Sequence, residues 1–250
     1  MKRVLIICFI CNFFFLSSFS QNGDHVGGRF SKRIEFNFLW SGNGYNLSSK
    51  GDLEKLFWGE FNAPVEFFFS PSTEYVPEAP SGFRIIKDTL NKTNSIEVKY
   101  ISNFREALNK AYSQYPMRGV SSPFTTPQDT LDLIRNQNRD NIKNAYELAR
   151  KLYIVDTRSV PISKSFAEKL YNTTVSCIDN FKARGVPYLI TDGAEVTFRT
   201  VVDDEVWTLI INEPQGNALK MSDICRQILK DAIMNNKLDE ANYIKLLDDF

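Results

Sequence analysis

The chain has 250 residues and carries 30 basic and 30 acidic side chains, so its formal net charge is zero. This balance argues against a nucleic-acid-binding protein, because such proteins usually carry a basic stripe and none is visible in the sequence. The length is sufficient for one large domain or two small ones with a well-buried core.

The first 20 residues have the pattern of a secretory signal peptide. A short positive region at Lys2 and Arg3 precedes an apolar run, Val4–Leu16. Ser18 and Ser20 are small residues at the spacing of a cleavage site. The apolar run is shorter than the roughly 20 residues that a membrane span needs. We therefore expect cleavage near Ser20 and a soluble mature chain without a membrane span, either secreted or periplasmic.

The next part of the chain predicts a leader followed by strands and one helix. Residues 21–32 are polar and rich in glycine, and we interpret them as a flexible leader before a single domain over 33–250. Alternating apolar and polar residues predict a half-buried strand at Ile34–Trp40. The following predicted elements are a helix near Lys50–Gly59 and strands at Val65–Phe69, Phe83–Asp88 and Ile96–Ile101.

Three helix starts follow. Asn103 and Glu106 predict a cap for a helix that runs to about Gln114. Thr126-Pro127 predicts the start of the longest helix, because proline is favoured in the first turn. The capping box from Ser165 to Glu168 predicts a second long helix that ends near Gly185. We expect the two long helices, 127–185, to form an antiparallel hairpin, which could separate two lobes.

The apolar stripe of the longest helix contains one polar residue, Asn138. An amide in such a stripe is more often hydrogen-bonded inside the protein than in contact with a ligand.

The stretch AEVTFRTVVDDEVWTLIIN, Ala194–Asn212, predicts a β-hairpin. Pairing across Asp203-Asp204 places Phe198 opposite Leu209 and gives one face of large apolar groups. Helices are predicted near Leu219–Asn235 and from Asp239. The whole pattern indicates an α+β fold: a mostly antiparallel sheet with a long helical hairpin inserted and C-terminal helices packed on it.

The acids near this hairpin are the candidates for catalysis. Paired carboxylates perform acid–base chemistry in glycosidases when they face each other about 5–10 Å apart across a cleft. A solvated hairpin tip provides no such cleft, and Asp is an ordinary turn residue, so we favour a structural role. The alternative is a carboxylate-dependent, glycosidase-like hydrolase, for which the candidate residues are Asp192, Glu195, Asp203, Asp204 and Glu205.

Histidine and cysteine limit the chemistry further. The only histidine is His25, which lies in the predicted leader. Catalytic triads require an oriented imidazole, so we expect no triad, no metal site and no cofactor. Of the four cysteines, Cys177 and Cys225 remain after signal cleavage. We favour two buried free thiols, although an oxidising compartment would allow a disulfide between them.

Two proline-rich loops are candidates for partner binding. Ser70–Gly82 carries Tyr75, and Pro116–Thr126 carries Phe124. Loops on a rigid scaffold commonly carry binding residues, although either loop could instead pack on its own domain. The sequence therefore favours an exported binding protein whose partner is a protein, peptide or glycan of the cell envelope.

Overall fold

The computed structural model describes residues 25–26, 29–36, 52–59, 63–71, 78–119, 126–181 and 194–250. The strands are β1 (His25–Val26), β2 (Arg29–Phe36), β3 (Val65–Pro71), β4 (Ser81–Asp88), β5 (Thr93–Ile101), β6 (Val155–Ile162), β7 (Ala194–Val202) and β8 (Glu205–Asn212). The helices are α1 (Asp52–Phe57), α2 (Phe104–Gln114), α3 (Gln128–Leu152), α4 (Lys164–Asp179), α5 (Gly216–Asn235) and α6 (Glu240–Asp248). None of the helices in these ranges is both long and apolar enough to cross a membrane.

These strands form one sheet in the order β1-β2-β8-β7-β3-β4-β5-β6. Neighbouring strands are antiparallel except for β2 and β8, which run parallel. The sheet and helices confirm the predicted α+β class. One expectation needs correction: 25–26 and 29–32, which we interpreted as leader, belong to β1 and β2 and pair within the sheet.

The C-terminal hairpin has the predicted register. Val202 pairs with Glu205, and Phe198 pairs with Leu209. Asp203 adopts a left-handed conformation with φ 50°, as tight hairpin turns require. The side chains of Phe198 and Leu209 are buried in the main core. The alternation of apolar residues in the sequence therefore predicted correctly which side of the hairpin faces the core.

Helices α4, α5 and α6 cover one face of the sheet and form the main core with it. The strands contribute alternate residues such as Phe67, Phe83 and Phe198, which are almost completely buried. Burying one such aromatic side chain contributes roughly 1.5–3 kcal/mol. We call this side of the sheet the helical face. The opposite side, which carries Glu66 and Arg199, is called the charged face.

Helices α2 and α3 pack against each other as an arm inserted between β5 and β6. A helical hairpin is therefore inserted, but its members are not the predicted pair over 127–185, because β6 separates α3 from α4. Strand β6 was not predicted: it contains Pro161 and three consecutive exposed residues, 157–159, a pattern tolerated only at the edge of a sheet.

The Asn103 side chain joins the two ends of this arm instead of capping α2. Its Nδ2 donates to the carbonyl of Leu152 at 2.8 Å, and its Oδ1 accepts from the backbone N–H of Ile154 at 2.8 Å. The Asn103 amide thus joins the exit from β5 to the return into β6, together with the N–H of Ser102, which donates to the carbonyl of Ile154 at 3.0 Å.

The segment 116–119 runs back along α3. Asn138 donates to the carbonyl of Arg118 at 2.9 Å and accepts from its N–H at 2.8 Å, while Asn141 donates to the carbonyl of Pro116 at 2.8 Å. Asn138 is therefore hydrogen-bonded within the chain as predicted, but it is half-exposed and not the buried amide that we expected. The described part of this proline-rich loop packs on its own domain.

Two helix boundaries also differ from prediction. The cap of α4 is Ser163, whose hydroxyl accepts from the N–H of Phe166, and the helix ends at Asp179 rather than near Gly185. At the start of α6, by contrast, Asp239 caps the helix as predicted by accepting from the N–H of Asn242.

Candidate functional site: the charged face of the sheet

Four charged residues of alternating sign lie side by side across the charged face. The strand register places Arg199 of β7 opposite Glu66 of β3, Glu66 opposite Arg84 of β4, and Arg84 opposite Glu97 of β5. Directly opposed residues of opposite charge stabilise a sheet. We call this set the charge row.

The inner part of the charge row is buried. Glu66 is 1% exposed and Arg199 is 7% exposed. The Nη1 atom of Arg199 lies 3.3 Å from Oε2 of Glu66, and its Nη2 pairs with Glu54 of α1. The guanidinium also lies over the Phe68 ring, 5.6 Å from its centroid. One arginine therefore joins carboxylates from two different elements.

Burial raises the pKa of Glu66 to about 7, because the charged form loses its hydration. Arg199 and Arg84 oppose this change, and the carboxylate of Glu54 reinforces it. The Oε1 atom of Glu66 has no hydrogen-bond partner among the described residues. Glu66 is consequently neutral in mildly acidic solution, and Glu54 is then the charged carboxylate that the described residues place against Arg199.

The outer part of the charge row surrounds an indole. Nε of Arg84 lies 3.0 Å from Oε1 of Glu97, which also accepts from Nε1 of Trp58 at 2.5 Å. The Arg84 guanidinium and the Lys99 ammonium lie 5.3 Å and 5.8 Å from the centroid of the Trp58 ring. Cations near an indole ring are attracted by its negative face, so these contacts fix Trp58 against the sheet.

Glycine at position 82 allows Trp58 to approach this closely. A Cβ at Gly82 would lie 2.8 Å from the carbonyl oxygen of Phe67 and 3.4 Å from Cη2 of Trp58. The first of these distances is too short for any side chain, so the backbone would have to move to accept one.

Beyond Trp58, the charged face is open to solvent over β5 and β6. Thr157, Ser159 and Pro161 of β6 are exposed, and they lie opposite Lys99, Glu97 and Ser95 of β5. We call these six residues the β6 ledge. Its β6 side presents exposed hydroxyl groups, and its β5 side carries the half-buried carboxylate of Glu97 and ammonium group of Lys99, which also bind Trp58 and the carbonyl of Phe57.

Among the described residues, the candidate catalytic acids Glu195, Asp203, Asp204 and Glu205 do not face one another across a cleft. Asp203, Asp204 and Glu205 are exposed at the tip of the hairpin, and Glu205 accepts from Nε1 of Trp207 at 2.7 Å. Glu195 lies in β7 on the same face as Arg199 but four residues away, or about 13 Å along a strand.

Three other predicted site residues, Asp192, Tyr75 and Phe124, lie outside the described residues.

Cys177 and Cys225 are buried free thiols in the main core. Burial raises the pKa of Cys177 to about 12 and holds the pKa of Cys225 well above its usual value. Because the thiolate is the reactive form, both side chains act as small apolar groups at neutral pH.

No protein-family model, curated protein or solved structure matches this chain. Within the described ranges, no group of three or more His, Cys, Asp or Glu side chains is placed to hold a metal ion. The interpretation of the site therefore depends on its own geometry.

The charge row was not predicted from the sequence, although a signal for it was present. Glu66 is a charged residue within the apolar run Val65–Phe69, and Arg199 interrupts the apolar alternation of β7. Charged side chains are rarely buried unless they are paired, so two such interruptions of opposite sign could have suggested adjacent strands.

Proposed function

We propose that this protein is an exported binding protein that holds a protein, peptide or glycan of the cell envelope on the β6 ledge. The observation that carries the proposal is the exposure of Thr157 and Ser159 on rigid strands beside Glu97 and Lys99. Export rests on the signal pattern of the first 20 residues.

The chemistry of the ledge suits a polar, extended ligand. Hydroxyl groups both donate and accept hydrogen bonds, Glu97 accepts them, and Lys99 donates them. Such a mixture matches sugar hydroxyls or the backbone of a peptide better than it matches an apolar molecule. Strands that are already ordered lose little conformational entropy when a ligand binds.

The alternative, a carboxylate-dependent hydrolase, has less support. The acids at Asp203, Asp204 and Glu205 are exposed at the hairpin tip, where Asp is an ordinary turn residue. Glu66 has the raised pKa of a catalytic acid, but its 1% exposure leaves no direct access for a substrate.

Partner capture tests the proposal. The mature chain Gln21–Phe250 would be immobilised and exposed to proteins, peptides and glycans from its own cell envelope. A ledge variant, Thr157→Arg with Ser159→Arg, would be compared with Arg158→Tyr, which alters the opposite side of the same strand. We expect the ledge variant to lose the retained partner and the Arg158 variant to keep it.

Two results would contradict the proposal. Equal retention by both variants would remove the ledge from the binding surface. Cleavage of a captured glycan by the native chain, lost when Asp203, Asp204 and Glu205 are changed to alanine, would instead establish the hydrolase. N-terminal mass analysis of the exported chain tests the signal separately and is expected to show Gln21 as the first residue.

A further inference from the structure

Helix α1 depends on the sheet for its stability. It has only six residues, and isolated helices shorter than about 12 residues are marginal in water. Three polar contacts attach its segment to the charged face: Glu54 pairs with Arg199, Lys99 donates to the carbonyl of Phe57, and Trp58 donates to Glu97. Among these contacts, only the Glu54–Arg199 ion pair involves a group that also contacts a second carboxylate, because Arg199 lies beside Glu66 as well.

We propose that α1 is a pH-sensitive latch: loss of a proton from Glu66 weakens the ion pair through which Glu54 holds α1 to the sheet. While Glu66 is protonated, Arg199 balances one negative charge, that of Glu54. Once Glu66 ionises, two carboxylates share the same guanidinium in a site with little water. Their repulsion is strong there because the local dielectric is low.

Release of α1 relieves this repulsion in two ways. It removes the Glu54 carboxylate from the neighbourhood of Glu66, and it opens the charged face to water. Both changes lower the pKa of Glu66, since desolvation and Glu54 are the causes that raise it. Because Glu66 binds its proton more weakly after α1 is released, a rise in pH shifts the equilibrium towards the released state.

The other charged groups around Glu66 set the range of this response. Arg84 of β4 and Arg199 of β7 lower the pKa of Glu66, and Nε of Arg84 is bonded to Glu97 of β5. Helix α4, which also contacts β3, packs on the helical face instead. The pKa of Glu66 is about 7 while α1 is bound and lower once α1 is released, so the released fraction rises as the pH approaches about 7 and is constant above it.

Release of α1 would also change the β6 ledge, because Trp58 borders it. When α1 is released, the indole is no longer held between Arg84, Lys99 and Glu97. The ledge would then gain open surface and two uncovered cations. The latch itself does not depend on what the ledge binds, so it can be tested without a ligand.

Amide hydrogen exchange tests the latch on the mature chain. Protection over 52–59, corrected for the pH dependence of intrinsic exchange, would be measured at pH 5 and pH 8. Each unit by which release lowers the pKa of Glu66 raises the released fraction tenfold at high pH. We expect at least a tenfold loss of protection in the native chain and no loss in Glu66→Gln, which keeps the shape without the charge.

Helix α4 supplies the internal control. If α1 is released locally, its amides stay less protected than those of α4, and their exchange is insensitive to low urea concentrations. Glu54→Gln is expected to lower α1 protection already at the lower pH and to leave a smaller decline with pH than the native chain shows, because hydration of Glu66 on release remains. The latch is overturned if native α1 protection does not change with pH, if it equals that of α4 throughout, or if Glu66→Gln retains the decline.

Discussion

The buried carboxyl of Glu66 makes a quantitative prediction about stability. Its pKa is 4.5 in an unperturbed chain and about 7 in the folded protein. The folded state therefore holds this proton more tightly than the unfolded state does. Stability from this group is complete below about pH 4.5 and falls as the pH rises to about 7. At about 1.4 kcal/mol per pKa unit, the loss is about 3 kcal/mol.

Replacing Glu66 with glutamine removes this loss, because the amide cannot ionise. We expect the free energy of unfolding of Glu66→Gln, measured by urea denaturation, to fall less steeply than that of the native chain between pH 5 and pH 7. The missing part of the slope is the contribution of Glu66. In the native chain that contribution reaches about −1.4 kcal/mol per pH unit. Glu97→Gln, which removes a half-exposed carboxylate of the same charge row, is the matched control and should retain the slope. Identical slopes for the native chain and Glu66→Gln would refute the assignment of a raised pKa to Glu66.

Three further predictions concern packing. Gly82→Ala should lower the free energy of unfolding by about 1–3 kcal/mol, because the added Cβ meets the Phe67 carbonyl; an unchanged urea midpoint would contradict this contact. Asn103→Ala leaves the backbone groups at the base of the arm without their side-chain partner and should lower the free energy of unfolding by about 1–3 kcal/mol. Proteolysis of this variant should be faster within the arm than in α4. In a chain that begins at Gln21, Cys177 and Cys225 should resist alkylation at pH 8 until urea is added, and mass spectrometry should then show two modifications. Modification of the folded chain would show that the thiols are accessible.

The elements that sequence predicted best were those with local signals. The register between β7 and β8 follows from apolar alternation on both sides of Asp203-Asp204, and Asp239 marks the start of α6. Strand β6 has no such signal, because an edge strand can expose consecutive residues and tolerate Pro161. Its omission led directly to the wrong partner for α3.

The charge row could not be predicted from local patterns. Glu66 and Arg199 are brought together by the pairing of β3 with β7, which are far apart in the chain. The sequence identified their strands but not that they were neighbours. The acids that stood out in the sequence, Asp203 and Asp204, were conspicuous because they were clustered, and clustering at a turn reflects solvation more often than catalysis.

The parallel pairing of β2 with β8 has a consequence for the order of folding. Partners such as Phe30 and Glu205 are roughly 175 positions apart, so this pair cannot form until nearly the whole chain has emerged. Contacts between such distant positions form slowly, since a long loop must close first. The meander of β3, β4 and β5 can assemble earlier from neighbouring segments. The first two strands, which can pair with each other locally, would therefore join the rest of the sheet last.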